Sequence, residues 1–380
     1  MTPAEPRSVR WFSHRDLRHP RAGGAERATF EIARRLVRRG WTVRWTATRS
    51  PGLPRRESVD GIDIERPGGP VTTHLAVPAI AAGDPAASVV VEDLGHVVPW
   101  GTAYQSRRPG TAFFHHLHRR TLAGQLPEVP AAFLARLERG YRTWLGDRSI
   151  VATTPSSRDD LVAIGIAPER ISVIPLGVDT DAFRPGDRAS PPLLVYFGGM
   201  RPYKRPDHAI RTIAAVRRAG IDARLAVVGT GPLAPGLVRL AADLGVGPYV
   251  DFAGRLEDAG LRQLLARASI NLHTSIAEGW CLSALEAASA GIPTVAYRVP
   301  GLETVVEEGR SGSLVPDSGP EALATRTIDL LTDGSLPEWG PRCREVASRF
   351  PWDATADAWD RHLRSVIEGR PARGAGGRRG

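Results

Sequence analysis

The sequence predicts an α/β protein of two domains, each a parallel sheet flanked by helices. Two observations carry this. Short runs rich in Val, Ile, Trp and Phe, such as residues 9–13 and 193–199, alternate with stretches of helical period, the pattern of repeated β-loop-α-β units. With 380 residues and 42% hydrophobic side chains, the chain is long enough for two domains and apolar enough for two cores. Pro185, Gly186, Pro191 and Pro192 read as a linker between them.

The elements follow in order. Residues 9–13 are the first strand, 14–24 a loop and 25–39 a helix with Phe30, Ile32, Ala33, Leu36 and Val37 at its apolar positions. Gly40 ends that helix, and 41–45 is the next strand. Gly23 and Gly24 stand at the loop-to-helix junction, where glycine lets a ligand approach a helix end. Strands are read at 62–65, 88–92 and 111–114, the last running into His115, His116 and His118. Successive strand residues face opposite ways and no cysteine lies near, so this cluster suits a metal poorly. A helix is read at 131–145, with Phe133, Leu134, Leu137, Tyr141, Trp144 and Leu145 in helical register and core packing as its expected role. Then come a strand at 149–154, a helix at 156–164 capped by Ser156 or Ser157, and a strand at 171–175.

The second domain repeats the plan. Its strand 193–199 enters a glycine loop, Gly198 to Arg205, before a helix that starts at Pro206. Strands at 224–229 and 250–256 and a helix at 261–268 lead to the strand 269–274. The turn 277–281 follows, then a helix at 282–290 that Gly291 and Pro293 stop. Further helices are read at 321–331 and 352–367, the latter with Trp359, Leu363 and Val366 on one side.

The chemistry concentrates around that turn. Glu278 sits on it and Glu286 lies eight positions on, inside the helix. A helix start between them offers unpaired N–H groups to an anion, and phosphate is the usual guest. Arg201 and Lys204 in the glycine loop can neutralise a diphosphate. Of the 50 basic residues, Lys204 alone is a lysine, which marks a place for a compact ammonium rather than a planar fork. An acid on each side of a diphosphate site suits a nucleotide-sugar.

Glu278-Gly279-Trp280 with Glu286-Ala287, followed by Gly291-Ile292-Pro293 and Pro300-Gly301, resembles the E-x7-E motif of retaining glycosyltransferases of the GT-B fold, family 4. The resemblance implies two Rossmann-like βαβ domains facing each other across a cleft. It implies residues 1–180 as an acceptor-side domain completed by a C-terminal helix at 352–368, and 181–351 as the domain that binds the nucleotide-sugar donor. It further implies that Gly23 and Gly24 face the donor phosphates, that Lys204 is the phosphate-binding lysine, and that Gly199, Leu256, Gly279, Trp280, Cys281, Leu282, Ser283 and Glu286 line the donor. The histidine facing the sugar is by position His115, with His116 and His118 as alternatives. The family's usual arginine after the first loop glycine is here Gly199, and Arg201 is the candidate to replace it. The implied reaction moves a hexosyl group from a nucleotide-diphosphate sugar, GDP- or UDP-linked, to a hydroxyl of a glycan, a lipid-linked or a small acceptor. It retains anomeric configuration and needs no cofactor and no metal.

The bulk numbers narrow the field. Cys281 and Cys343 give no disulfide framework, which fits a reducing, cytoplasmic setting. Neither a signal peptide nor a membrane-spanning stretch is read. The net charge of +9 is concentrated in the first half and in the tail 369–380, which is Gly- and Arg-rich and reads as disordered. That charge permits a nucleic-acid binder, yet no nucleic-acid motif accompanies it. It fits instead a peripheral contact with an anionic membrane carrying the acceptor. The rival within enzymes is a nucleotide-sugar epimerase or hydrolase on the same architecture.

Overall fold

A computed structural model describes residues 7–84, 86–122 and 128–369. The basic tail, apart from Gly369, lies outside them. The chain divides into two compact units, one drawn from Met1–Arg119, Glu128–Leu176 and Trp352–Gly380, the other from Arg120–Pro127 and Gly177–Pro351.

The first unit holds strands β1 (Ser8–Phe12), β2 (Thr42–Thr46), β3 (Arg56–Val59), β4 (Ile62–Glu65), β5 (Val89–Asp93), β6 (Gly110–Phe114), β7 (Ser149–Ala152) and β8 (Ile171–Val173). They form one sheet in the order β3-β4-β2-β1-β5-β6-β7-β8. Every neighbouring pair is parallel except β3 with β4. Strands covered on both faces need no polar side, and all five residues of β1, of β5 and of β6 are buried. The C-terminal helix Trp352–Ile367 closes this unit. Its Trp359 is fully buried, with ring centroids 5.0 Å from both Trp11 and Phe113. Arg39, just past the helix Gly24–Arg38, ties that helix to Asp357 at 2.6 Å, and Trp41 Nε1 donates to Asp360 at 2.7 Å.

The second unit holds β9 (Leu193–Phe197), β10 (Arg224–Val228), β11 (Val250–Gly254), β12 (Ile270–His273), β13 (Thr294–Tyr297) and β14 (Gly312–Val315), all parallel, in the order β11-β10-β9-β12-β13-β14. The order reverses between β1 and β5 in one sheet and between β9 and β12 in the other. Loops leaving the carboxyl ends at such a reversal splay apart and open a crevice, the place where open α/β sheets bind ligands.

Several elements differ from expectation. The stretch read as one helix at 131–145 is two, Glu128–Arg139 and Tyr141–Trp144, broken at Gly140. Tyr141 and Leu145 join the core, but Phe133 is 62% and Trp144 45% exposed, so core packing holds for only part of the register. The helix after β7 is capped by Thr154, whose Oγ1 accepts from Ser157 N at 3.0 Å, rather than by Ser156 or Ser157. The edge strand β3 and the helices Pro70–Ala82 and Leu336–Ser348 were not anticipated; both helices contain an internal proline, Pro78 and Pro341.

Candidate functional site

In the second unit two loops meet, Gly198–Arg205 after β9 and Thr274–Cys281 after β12. Three hydrogen bonds lace them: Thr274 Oγ1 to Lys204 O at 2.6 Å, Ile276 N to Tyr203 O at 3.0 Å, and Arg205 Nε to Thr274 O at 2.9 Å. Arg205 adopts a left-handed backbone (φ +44°), stacks 4.4 Å from the Tyr297 ring and pairs with Asp317 at 2.7 Å. These fixings hold Lys204 where its ammonium reaches the Glu278 carboxylate. The same oxygen, Oε1, lies 2.8 Å from His273 Nε2. His273 in turn has the Cys281 sulfur 3.6 Å from both ring nitrogens.

The electrostatics follow from this packing. Burial works against every charge in the cluster, and the neighbours outweigh it. Lys204 and His273 beside Glu278 hold its carboxyl well below the usual range, and the Glu278 charge raises the Lys204 pKa. For His273, the Cys281 sulfur and the Glu278 carboxylate overcome burial and push the imidazole up to about 9. The cluster therefore carries two cations on one acid at neutral pH. Sequence reasoning missed His273. Its one signal was a polar side chain on the last residue of a strand whose following turn holds Glu278.

The turn itself is shaped by close backbone contact. A Cβ on Gly301, whose φ is +88°, would lie 2.2 Å from Glu278 O, so only glycine there lets the segment after β13 support the turn. Cys281 is the N-cap of the helix Leu282–Ser289 and takes φ +85°; no side chain caps that helix start. Its other end is neutralised by cations: Arg188 donates to Gly291 O at 2.8 Å and Arg344 to Ser289 O at 2.8 Å. Leu282, Ser283 and Glu286 are half-buried on this helix. Trp280 is packed inward, 5.3 Å from the Phe350 ring. Arg201 is half-buried, and its guanidinium has no ion-pair partner among the described residues. Gly199 accepts from Tyr196 OH at 3.2 Å through its carbonyl. Leu256 lies beyond the edge strand β11, half-buried.

The first unit has its own cluster at the carboxyl ends of β5 and β6. His115 is 7% exposed, and its Nε2 lies 3.0 Å from Asp93 Oδ1. Asp93 also accepts from Gly95 N at 2.8 Å and, through Oδ2, from Thr29 Oγ1 at 2.9 Å. Asp93 thus fixes the ring, a role the sequence showed only as a strand-ending acid. The His116 and His118 rings lie 4.9 Å apart at a tilt of 37°, and His118 binds the buried Glu138 at 3.2 Å. Gly23 precedes the helix start, where its N–H donates to Glu26 Oε2 at 2.7 Å, and Gly24 is the first helical residue. A cavity of 640 Å³ lies at the opposite, amino-terminal edge of this sheet, lined by Gly110, Arg148 and His362 among others and by none of these residues.

Two α/β units with largely parallel sheets, and a glycine-rich cationic loop beside a helix start, are features of the GT-B class of glycosyltransferases. The comparisons agree. Glycosyltransferase Family 4 matches residues 22–182 and Glycosyl transferases group 1 matches residues 191–333. The D-inositol 3-phosphate glycosyltransferase of Acidothermus cellulolyticus is 32% identical over 88% of this chain and 84% of that protein. A second D-inositol 3-phosphate glycosyltransferase, from Catenulispora acidiphila, is 36% identical, a match spanning 59% of this chain and 58% of that protein. Among solved structures, sucrose-phosphate synthase from Thermosynechococcus elongatus superposes with a TM-score of 0.81 at 21% identity, covering 96% of this chain and all of that one. Anabaena HepE in complex with UDP-glucose gives 0.75 at 18% identity, covering 94% of this chain and 99% of that one. The chain belongs to glycosyltransferase family 4, and it is a glycosyltransferase of the GT-B type. Among the described residues no helix is long and apolar enough to cross a membrane.

Proposed function

We propose that this enzyme transfers a hexosyl group, with retention of configuration, from a nucleoside-diphosphate sugar to a hydroxyl acceptor. The observation that carries the reading is the convergence of Lys204, Glu278, His273 and the start of the helix Leu282–Ser289 on one point of the second unit. The diphosphate takes its charge compensation from Lys204, Arg201 and the helix N–H groups, which stabilise the leaving group as the C1–O bond breaks. Glu286 binds the ribose hydroxyls and Glu278 those of the sugar. In the first unit, His115, its ring set by Asp93, takes a sugar hydroxyl, and Gly23 and Gly24 let the ligand approach their helix start. The acceptor oxygen attacks from the leaving-group face and its proton passes to a phosphate oxygen, so no protein nucleophile is used.

Fixed cations do the work of a metal. The chain has one Asp-x-Asp triplet, Asp179-Thr180-Asp181, and it is engaged elsewhere: Asp179 Oδ1 accepts from Ala182 N at 2.9 Å and Asp181 pairs with Arg184 at 2.7 Å. Because HepE was crystallised with UDP-glucose, UDP is the first nucleotide to test, with GDP next. The names of the relatives make a small phosphorylated polyol such as D-inositol 3-phosphate the first acceptor, ahead of glycan and lipid-linked ones. A thermal-shift screen against UDP-, GDP-, ADP- and dTDP-sugars tests the donor reading, since a ligand that binds the fold raises its melting temperature by mass action. No shift with any of them would remove it. Sugar conversion without acceptor would favour an epimerase or hydrolase.

A further inference from the structure

His273, Glu278 and Cys281 place one imidazole nitrogen, one carboxylate oxygen and one sulfur within 4.8 Å of one another, and all three side chains are largely buried. That donor set is the one zinc and similar thiophilic cations select; magnesium and calcium prefer oxygen alone. The sulfur–nitrogen spacing also fits. A tetrahedral zinc ion bonded at about 2.3 Å to sulfur and about 2.1 Å to nitrogen holds those atoms about 3.6 Å apart. The Cys281 sulfur is 3.6 Å from His273 Nε2. The carboxylate oxygen is 2.8 Å from the same nitrogen, and a small side-chain rotation widens this to the about 3.4 Å that a shared zinc requires. Three protein ligands leave a fourth position open. The anchoring is rigid: His273 ends a strand inside a parallel sheet, and Cys281 is locked as a helix N-cap at φ +85°.

We propose that His273, Glu278 and Cys281 form a binding site for a thiophilic divalent cation, zinc foremost, whose occupation excludes the donor diphosphate from the second unit. The thiol proton and the proton on the coordinating His273 nitrogen leave to solvent as sulfur and nitrogen bond the metal. Glu278 turns from Lys204 to the ion, and the ion sits at the mouth of the helix start that the diphosphate needs. Lys204 is the built-in opponent, because its ammonium competes for the same carboxylate oxygen. The exclusion of donor rests on the function proposed above; the metal site does not.

The test is calorimetric titration of the chelator-treated full chain with zinc chloride, alongside the absorption spectrum with cobalt(II). The expected result is one equivalent bound at micromolar zinc and a thiolate-to-cobalt charge-transfer band. Both are lost in Cys281→Ser and His273→Ala and kept in Cys343→Ser, whose thiol is buried 3.5 Å from Arg310 O and away from the cluster. Lys204→Met binds zinc at least as tightly as the parent, and magnesium binds to neither. Absence of the charge-transfer band on the unmutated protein overturns the site without any variant, as does zinc uptake unchanged in Cys281→Ser. If zinc binds at Cys281 but UDP binding is undiminished by it, the exclusion is refuted while the donor reading stands. If zinc does not bind, the donor reading is untouched.

Discussion

Lys204 and Glu278 are paired with each other, so their removal should have opposite consequences for a diphosphate. Lys204→Met keeps the aliphatic stem and deletes the charge. A hydrogen bond to a charged group contributes about 1.5–3 kcal/mol, so the Kd of UDP measured by calorimetry should rise by about tenfold to a hundredfold. Glu278→Gln keeps the shape and removes the carboxylate that competes for Lys204. A diphosphate then no longer has to draw the ammonium out of an ion pair that is only 18% and 11% exposed on its two sides. UDP should therefore bind Glu278→Gln as tightly as the parent or tighter, while hexosyl transfer falls by about a hundredfold because the sugar loses its acceptor carboxylate. The split between binding and turnover is the diagnostic. If Glu278→Gln weakens UDP as much as Lys204→Met does, the two residues do not compete and the assignment of their roles is wrong.

Three other outcomes follow from the structure. Asp93→Asn should lower kcat by about a hundredfold with little change in the donor KM, because the carboxylate that sets the His115 ring is lost while the donor cluster of the second unit is intact; an unchanged kcat would remove His115 from the chemistry. Gly301→Ala should lower the melting temperature by several degrees, at a cost of about 1–3 kcal/mol, since its Cβ would strike Glu278 O at 2.2 Å from a left-handed backbone; a neutral melt would show that the turn is not held there. His362 is 6% exposed and burial pushes its pKa from 6.5 down to about 4. The unfolded chain therefore takes up a proton that the fold refuses, and stability contributed by the neutral ring is present above pH 6.5 and lost as pH falls toward 4, by about 3 kcal/mol. His362→Gln should flatten that part of the pH–stability curve, not abolish it, because His14 and His96 are lowered in the same direction.

Most of the fold could be read because the strands are buried on both faces and the glycines punctuate them. The C-terminal helix was bounded correctly at Trp352–Ile367, where helical spacing of Trp359 and Leu363 is uninterrupted. What escaped did so for local reasons. Pro78 and Pro341 concealed two helices, because a proline tolerated inside a helix looks in sequence like a break. Gly140 split another that periodicity alone had joined. At the site, the motif residues could be placed by resemblance, but their partners could not. His273 and Asp93 act through contacts with residues 5 and 22 positions away in the chain, across a turn or between neighbouring strands. All four residues of β12 are buried, the polar Asn271 and His273 included. Nor does sequence reveal that Lys204 and Glu278 are bonded to each other over 74 positions.

The most direct test is the anomeric configuration of the product. Chelator-treated enzyme is supplied with the nucleotide-sugar that the thermal screen selects and with D-inositol 3-phosphate, glycan and lipid-linked acceptors in turn, and the new glycosidic linkage is read by proton NMR. An acceptor-dependent product that keeps the donor's configuration, formed without added metal, is what the arrangement of Lys204, Glu278 and the unhindered helix start predicts. An inverted linkage, or transfer that appears only when magnesium or manganese is restored, would contradict it.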